Sequence, residues 1–444
     1  MIQFNAGRNW IYAKRVEGRF QRLHRASGFV LLAILAVAPW LSVGGQPVLR
    51  ADLPARRLFL LGTVFTPSDG FNLVLLGLIA AFALFFFTSL LGRLWCGWFC
   101  PQTVFLEEFV RRIELWVEGD RRVRMQRDAG PMSFDKAWRK GVKWSLFAAL
   151  AVLVAMAVMS FFSGPRELWT GEGGLVEYTM VGLISLGLFL DWAWFREQLC
   201  IYLCPYARFQ GALTDDHSLV VSYDVAHGEP RGKGRAAAQE GHCIQCNKCV
   251  DVCPQGIDIR DGFQLECINC SRCIDACEDV MAHLGKPSLI RYSTVAEDEG
   301  RRTRWIRGRT ISYSALLLGL SGLLVYRVVT HNPIEVTVNR APGTLFQQDA
   351  DGSVRNTYLV HIKNNDAVEA HDYALSVVGL DEAEVIVSDL SLEPLAAQTV
   401  PLIVRLPPGA VDRTTPFTVQ IVNETHQRTV DATFKAPHRA QEEG

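Results

Sequence analysis

The sequence predicts a membrane α-helical bundle of five transmembrane helices, which carries a cytoplasmic cysteine-rich module and a C-terminal Ig-like β-sandwich. Three observations support this fold class. Apolar residues make up 49% of the 444 residues and come in long runs, as is typical of membrane proteins. All 12 cysteines lie in four short motifs. The last part of the chain alternates apolar with other residues, which predicts short strands.

The predicted domains follow one another along the chain. They are a basic cytoplasmic N-terminus (1–26), a four-helix membrane domain (27–214), a polar linker (215–240), a cysteine-rich domain (241–300), the fifth transmembrane helix (301–330) and a periplasmic Ig-like domain (334–437). The formal net charge is −1, so the composition does not indicate a nucleic-acid partner.

Five apolar runs are each about long enough to cross a bilayer as a helix. They cover residues 27–43, 71–91, 142–162, 175–195 and 311–329. Lys and Arg are concentrated before the first run, between the second and third, and before the fifth. By the positive-inside rule these segments are cytoplasmic, which places the N-terminus inside and the C-terminus outside. We expect no cleavable signal peptide, because no convincing small-residue cleavage site follows the first run.

Two further expectations concern charged groups and haem. The arginines between 111 and 127 are interpreted as topology determinants, and Asp191, late in the fourth run, is expected to be solvated near the interface. Runs two to five contain no histidine. A membrane haem with two axial histidines is therefore not expected.

Residues 243–277 contain two copies of one cysteine motif. In each copy, cysteines at i, i+3 and i+6 are followed by a fourth cysteine four residues later. A tight loop supplies three thiolates to a [4Fe–4S] cluster, and in bacterial two-cluster ferredoxins the fourth cysteine of each run ligates the other cluster. The predicted ligands are Cys243, Cys246, Cys249 and Cys277 for the first cluster, and Cys253, Cys267, Cys270 and Cys273 for the second.

Other interpretations of these cysteines are weaker. Zinc sites use pairs of cysteines, and disulfides do not come in tandem three-residue spacings. Pro254 follows the first copy as expected, whereas Glu278 stands where the second copy would have its proline. Two adjacent clusters predict a ferredoxin-like electron-transfer module, and cluster assembly favours a reducing, cytoplasmic location.

A second duplicated motif lies at the predicted cytoplasmic ends of the second and fourth runs. Its copies are Cys96-x-x-x-Cys100-Pro101 and Cys200-x-x-x-Cys204-Pro205. The i, i+4 spacing places two thiols on one face of a helix, and two such pairs present up to four soft ligands to Cu(I), zinc or an iron–sulfur cluster. The alternative is four interfacial cysteines packed in an aromatic belt. The duplication favours a metal-handling or redox site.

This order of features resembles the CcoG/FixG/RdxA family. The twin Cys-Pro motifs with a ferredoxin module are shared with polyferredoxin subunits such as NapH and NosR, and the C-terminal β-domain singles out CcoG/FixG. The resemblance implies a bacterial inner-membrane accessory protein that reduces Cu(II) to Cu(I) during assembly of cbb3-type cytochrome c oxidase. Cys96, Cys100, Cys200 and Cys204 would then handle copper, and the other eight cysteines would hold the clusters.

The resemblance also implies partners and leaves alternatives open. The implied partners are a cytoplasmic electron donor, a copper chaperone or transporter, and the oxidase subunits. A polyferredoxin-type quinol dehydrogenase that passes electrons to a periplasmic partner is one alternative; quinol-driven redox changes independent of copper would favour it. A non-enzymatic copper chaperone or assembly scaffold is another; copper binding with clusters that cannot be reduced would favour that one. The outer β-domain is expected to serve in interaction or anchoring.

Overall fold

The computed structural model describes residues 10–61, 63–66, 70–232, 241–330, 334–343, 345–364, 370–388, 390–394, 396–410, 414–423 and 426–437. The chain divides into two compact units. The larger comprises Met1–Leu41, Pro47–Leu61 and Phe65–Leu324, and the smaller comprises Ser42–Gln46, Gly62–Val64 and Val325–Gly444. Among the described residues, five helices are long and apolar enough to cross a membrane, so the predicted number of spans is confirmed.

Helix α1 (Arg19–Val37) begins earlier than the apolar run predicts, at Arg19 instead of residue 27. Its start is fixed by the cysteine-rich module, because the carboxylate of Asp275 accepts hydrogen bonds from the backbone N–H groups of Phe20 (3.1 Å) and Gln21 (2.7 Å). These N–H groups have no partner within the helix, and a carboxylate there satisfies them. A 3-10 turn at Ala38–Trp40 follows, so the helix also ends before residue 43.

Short strands separate the first two spans. They are β1 (Ser42–Val43), β2 (Gln46–Pro47), β3 (Leu49–Asp52), β4 (Arg57–Leu60) and β5 (Thr63–Phe65). Strands β3 and β4 form an antiparallel pair, with Leu49 opposite Leu60. Helix α2 (Gly70–Leu91) is the second span, close to its predicted bounds.

The segment between the second and third spans is folded into short helices. These are α3 (Leu94–Trp98), α4 (Pro101–Phe105), α5 (Arg111–Glu118) and α6 (Arg121–Ala129), with a π turn at Leu106–Val110. The interpretation of its arginines as topology determinants is incomplete. Arg111 and Arg124 are buried, because carboxylates of the same segment pair with them.

Helix α7 (Phe134–Met159) is the third span, and it begins before residue 142 because Ser133 caps it by accepting from the backbone N–H of Lys136 at 3.2 Å. After α8 (Pro165–Thr170), α9 (Leu175–Leu190) forms the fourth span and continues as a π turn, Asp191–Phe195. A second π turn, Leu199–Leu203, leads into α10 (Pro205–Leu213). Phe105, Phe147 and Trp192 belong to the buried apolar core of this bundle.

The cysteine-rich module starts inside the predicted linker. Strand β6 (Val220–Tyr223) pairs antiparallel with β7 (Ile290–Ser293), because its apolar side chains are buried in the module core. The module helices are α11 (Val225–Gly228), α12 (Lys248–Asp251), α13 (Arg272–His283) and α14 (Val295–Asp298). Residues 233–240 of the linker lie outside the described residues. The fifth span is α15 (Gly308–Val329).

The C-terminal domain is rich in antiparallel sheet, as predicted. Its strands are β8 (Ile334–Arg340), β9 (Gln347–Gln348), β10 (Val354–Asn364), β11 (His371–Val378), β12 (Glu384–Ile386), β13 (Leu390–Leu392), β14 (Ala397–Leu406), β15 (Thr414–Val422) and β16 (Gln427–Lys435). One sheet has the order β12-β14-β10-β8, with β9 paired to β10, and the other has the order β13-β11-β15-β16. Alternate residues such as Val360, Leu402 and Val419 form one buried apolar core.

Candidate functional site

The cysteines of the module line two cavities. Cys243, Cys246, Cys249 and Cys277 line one cavity. The other is lined by Cys253, Cys267, Cys270 and Cys273, with Cys249 at its edge. This is the crossed grouping expected from the motif, in which the fourth cysteine of each copy joins the other set. The ligand assignment remains a prediction, and this grouping supports it.

The two copies of the module motif share the same backbone conformation around their central cysteine. Gln245 and Asn247 flank Cys246, and Asn269 and Ser271 flank Cys270; all four flanking residues have positive φ, between 50° and 64°. Left-handed backbone at non-glycine residues is uncommon and occurs where surrounding structure enforces it. Each copy thus curls around its central cysteine, so that neighbouring thiols line the same cavity.

The donor chemistry fits iron–sulfur clusters. Each cavity is lined by four or more thiols together with apolar side chains such as Val221, Ile259 and Ile290. Within the described ranges, no group of three or more His, Cys, Asp or Glu side chains closes around a single-ion site. Thiols arranged around a cavity suit a polynuclear cluster better than one metal ion, because the sulfurs must surround the whole cluster.

The duplicated motif at the membrane end has a matching backbone break. Gly92 has φ 57° and Arg196 has φ 54°, and the two residues occupy equivalent positions in the two copies. Each left-handed residue ends its span and redirects the chain into the cysteine loop. Pro101 and Pro205 then begin helices α4 and α10, as suits a residue whose missing N–H is not needed at a first helical position.

The fold brings the four membrane-end thiols near one another, but within the described residues they do not close around a single-ion site. Cys96 lies within electrostatic range of Cys100 and Cys204, and Cys200 lies within range of all three. Burial raises the pKa of Cys96 to about 11 and that of Cys200 to about 12. Burial also raises the pKa of Cys100. At neutral pH these groups are therefore protonated thiols, and metal binding would have to displace their protons.

Two polar residues that sequence reasoning missed hold this thiol group. The side-chain oxygen of Gln210, which is fully buried, accepts hydrogen bonds from Cys96 Sγ (3.3 Å) and from Arg93 Nε (2.8 Å). Arg93 also donates to the backbone carbonyl of Leu265 in the module. The sequence could have identified Arg93, because it is a charged residue at the end of a span, where such groups are often functional.

The first cysteine loop rests directly on the module. A Cβ added to Gly97 would lie 2.9 Å from Cα of Cys270 and nearer still to the carbonyl oxygen of Ile268. The indole Nε1 of Trp98 donates to the carbonyl of Asn269 at 3.2 Å. On the other side of the loop, His24 Nε2 lies 2.6 Å from the carbonyl oxygen of Gly97. The membrane-end thiols are thus attached to the loop that carries Cys270.

A cavity of about 390 Å³ reaches the thiol group at Cys200. Arg93, Tyr202, Leu265 and Glu266 also line it. Both the membrane-end motif and the module therefore form this access route. An ion could approach Cys200 by this path without crossing the bundle.

The expectation that Asp191 is solvated is wrong. Asp191 is 8% exposed and begins the π turn that ends the fourth span. It lies within electrostatic range of Arg196 and Glu197, which are themselves buried. The π turn places one extra residue in the last turn of the span, at the point where Asp191 is buried.

Comparison with known proteins agrees with this architecture. Residues 195–295 match the family model "4Fe-4S dicluster domain", residues 73–123 match "4Fe-4S binding domain", and residues 324–437 match "IG-like fold at C-terminal of FixG". The module and the first cysteine loop therefore both fall within iron–sulfur protein families. The expected absence of a membrane haem is not tested by these matches.

Curated relatives match over most of the chain. Protein RdxB of Cereibacter sphaeroides is 37% identical over 419 residues, which cover 89% of this chain and 87% of RdxB. Nitrogen fixation protein FixG of Rhizobium meliloti is 33% identical over 460 residues, covering 90% of this chain and 87% of FixG. A crystal structure of a FixG-related protein from Vibrio parahaemolyticus is 20% identical and covers 23% of this chain and 96% of that one. Its TM-score of 0.22 is too low to support a structural conclusion.

Five candidate membrane spans, two 4Fe–4S family matches, a sheet-rich C-terminal domain and relatives that match over most of their length lead to one assignment. The chain is a multi-pass, iron–sulfur oxidoreductase-like membrane protein that belongs to the FixG/RdxA family.

Proposed function

We propose that this protein is a membrane-bound cupric reductase, which reduces Cu(II) to Cu(I) for assembly of cbb3-type cytochrome c oxidase. The clusters, when bound by the module, supply single electrons. Each Cu(II) ion takes up one electron and becomes Cu(I). The four membrane-end thiols bind the ion, since soft sulfur ligands favour Cu(I).

The observation that carries this proposal is the contact between Gly97 and the Cys270 loop. This contact supports the proposal because it brings the loop of Cys96 and Cys100 against the loop that carries Cys270. The mutual electrostatic influence of Cys96, Cys100, Cys200 and Cys204 supports treating them as one thiol group in this proposal.

The residues around the thiols have separable tasks in this scheme. Gln210 orients Cys96 by accepting its hydrogen bond. Arg93 fixes Gln210 and adds positive charge beside the thiols, which favours the thiolate needed for metal binding. Cys246 in the first set is exposed, so the cluster that this set would hold is the one open to a donor, whereas the second set, which adjoins the thiol loop, would hold the cluster nearer the copper site. A cytoplasmic donor would therefore meet the first set.

The proposed orientation follows from charge and redox chemistry. The N-terminus and the module face the cytoplasm, where thiols stay reduced, and positively charged segments flank the spans on that side. The C-terminal domain is then a periplasmic Ig-like β-sandwich, available for docking to oxidase subunits. A copper chaperone or transporter would exchange Cu(I) at the access cavity beside Cys200.

Electron-coupled copper reduction tests this proposal. Purified protein is reduced anaerobically, freed of reductant and mixed with Cu(II) and a Cu(I)-specific chelator. About two Cu(I) ions per chain are expected, because each of two clusters yields one electron. Cluster bleaching should follow Cu(I) formation. A variant with Cys96, Cys100, Cys200 and Cys204 changed to serine should keep its clusters and make little Cu(I); equal yields from both proteins would overturn the proposal.

One observation favours a second candidate, a polyferredoxin-type electron carrier. Residues 73–123 match a 4Fe–4S binding domain although they contain only Cys96 and Cys100. Two methylamine utilization ferredoxin-type proteins MauN are also 26% identical to this chain over about half its length. The four thiols would then hold a further iron–sulfur centre. Iron well above the roughly eight atoms of two cubane clusters, with quinol-driven and copper-independent reduction, would favour this candidate.

A further inference from the structure

A cationic cavity of about 270 Å³ lies beside the module, apart from the thiol group. It is lined by the N-terminal segment, α1, the turn at Leu106–Val110, α5, α6 and the first residue of α13. Seven arginines contribute to its lining, against the three carboxylates of Glu107, Glu108 and Asp120. The cavity is thus strongly positive for its size.

Its buried arginines share too few carboxylates. Glu107 pairs with both Arg111, at 3.1 Å, and Arg272. Glu114 does not itself line the cavity. It pairs with Arg124 at 2.6 Å and with Arg196 at 2.5 Å. A buried guanidinium is costly unless its charge and its hydrogen-bond donors are matched. Glu197 lies 3.9 Å from Arg111 and 3.8 Å from Arg196, so three carboxylates face these four guanidiniums and one positive charge is left unmatched.

The hydrogen-bond pattern agrees with this charge deficit. Among the described residues, Arg111 Nη1, Arg124 Nε and Arg272 Nε are buried donors without a hydrogen-bond partner, and Glu107 Oε1 is a buried acceptor without one. All three arginine side chains line the same cavity. Buried polar groups are rarely left unpaired, and exceptions often mark a bound ion or ligand.

We propose that this cavity binds a phosphate group. Arginine forks match the geometry of phosphate oxygens, and 270 Å³ is just below the range for small-molecule pockets. The phosphate could belong to a soluble phosphorylated compound or to an anionic lipid. Basic pockets near the cytoplasmic face of membrane proteins bind lipid headgroups, and Leu115 with the exposed Trp116 supplies an apolar rim.

The site is coupled to the second set of cluster cysteines. Arg272 lies between Cys270 and Cys273 in sequence, and Arg111 Nη2 donates to the carbonyl of Pro254, next to Cys253, at 3.2 Å. A phosphate here adds negative charge beside those cysteines. Because reduction makes a cluster more negative, a bound phosphate should lower the reduction potential of that cluster. This site does not depend on copper being the substrate.

Calorimetry and redox titration of the full chain test the proposal. The protein, in nanodiscs of phosphatidylcholine, is titrated with inorganic phosphate; a second preparation contains phosphatidylglycerol. We expect one phosphate per chain, or retained phosphatidylglycerol in native mass spectra, and a more negative potential for one cluster. The half-exposed pair Arg25→Gln with Arg112→Gln should weaken binding at least tenfold. The Arg122 control, which combines Arg122→Gln with Arg22→Gln, makes an equal charge change on exposed residues outside the lining and should not weaken binding.

The outcomes distinguish a soluble phosphorylated ligand from a lipid headgroup, and they can also contradict the proposal. Binding of inorganic phosphate supports a soluble phosphorylated ligand, and binding of phosphatidylglycerol alone supports a lipid headgroup. No binding of either, or equal binding by wild type and the Arg25/Arg112 variant, contradicts the proposal. So does an equal loss in the Arg122 control. Cluster absorbance of each variant verifies that it has folded.

Discussion

Trp98 donates its indole N–H to the carbonyl oxygen of Asn269 at 3.2 Å. Trp98 belongs to the first membrane-end cysteine loop, and Asn269 immediately precedes Cys270 of the module. The same indole lies 3.1 Å from the hydroxyl of Tyr292, so this attachment has two partners. Two motifs whose contacting residues are 171 positions apart in sequence are therefore held together as one structural unit.

The tight contact at Gly97 gives the first prediction. In Gly97→Ala the new methyl carbon would meet backbone atoms of Ile268 and Cys270, which cannot move aside as a flexible side chain can. We expect the cysteine loop to separate from the module and Cu(II) reduction to slow at least tenfold, with cluster absorbance retained. Gly141→Ala, at a position with open space in α7, is the matched control. An unchanged rate in Gly97→Ala would show that the contact is not used.

The cap of α1 by Asp275 gives a second prediction. Asp275→Ala removes the acceptor for the N–H groups of Phe20 and Gln21, and loss of such a cap costs about 0.5–2 kcal/mol. We expect a lower melting temperature and faster proteolysis before Arg19. Asp279→Ala on the same helix breaks only an exposed ion pair with Lys248 and should have little effect. Equal melting of the two variants would contradict the capping role.

The buried carboxylate of Glu114 gives a third prediction. Burial opposes ionisation, but Arg196 and Arg124 outweigh it and lower the pKa of Glu114 to about 2. Since the folded pKa lies below the ordinary carboxyl pKa of 4.5, this stabilisation is present above that pH and is lost as pH falls toward 2. At neutral pH, Glu114→Gln should destabilise the fold by about 3–5 kcal/mol by leaving a buried cation unmatched.

A control for that substitution is Asp135→Asn, because Asp135 is exposed and its pairs with Arg127 and Arg139 lie at the surface. Thermal melting followed by circular dichroism should show a large decrease in melting temperature for Glu114→Gln and almost none for Asp135→Asn. Comparable decreases would mean that burial of the Glu114–Arg196 pair does not determine stability here.

The raised pKa values of the membrane-end thiols predict proton release. Cys96 and Cys200, with pKa values of about 11 and 12, hold their protons at neutral pH, whereas Cu(I) binds thiolates. Each bound sulfur should therefore release a proton, and apparent Cu(I) affinity should rise from about pH 6 to about pH 8. A pH indicator in weak buffer measures this release. The variant with four serines should release none, and pH-independent affinity would argue against thiolate binding.

Periodicity and motif spacing predict much of this fold. The five spans, the grouped cysteines and the alternating strands all depend on local sequence pattern, and they can therefore be predicted from the sequence. Helix α1 begins early because Asp275, distant in sequence, caps it. The burial of Asp191 likewise depends on a π turn that no periodicity indicates.

Parts of the site could not be predicted from the sequence because they also depend on contacts between distant residues. Gln210 reaches Cys96 only because the two cysteine loops meet in space. The equivalent left-handed positions are a glycine, Gly92, in the first copy and an arginine, Arg196, in the second. A glycine suggests a left-handed turn in a sequence, but an arginine does not, so the turn in the second copy could not be predicted. Contacts formed by tertiary packing cannot be read from spacing alone.

The most direct test of the copper site is X-ray absorption at the copper edge, after the reduced protein has reacted with one equivalent of Cu(II) under anaerobic conditions. Wild type should give a Cu(I) edge with a shell of sulfur ligands only. The variant with serine at positions 96, 100, 200 and 204 should lose that shell. Copper bound by oxygen or nitrogen in the wild type, or the same sulfur shell in the variant, would contradict the assignment of these thiols.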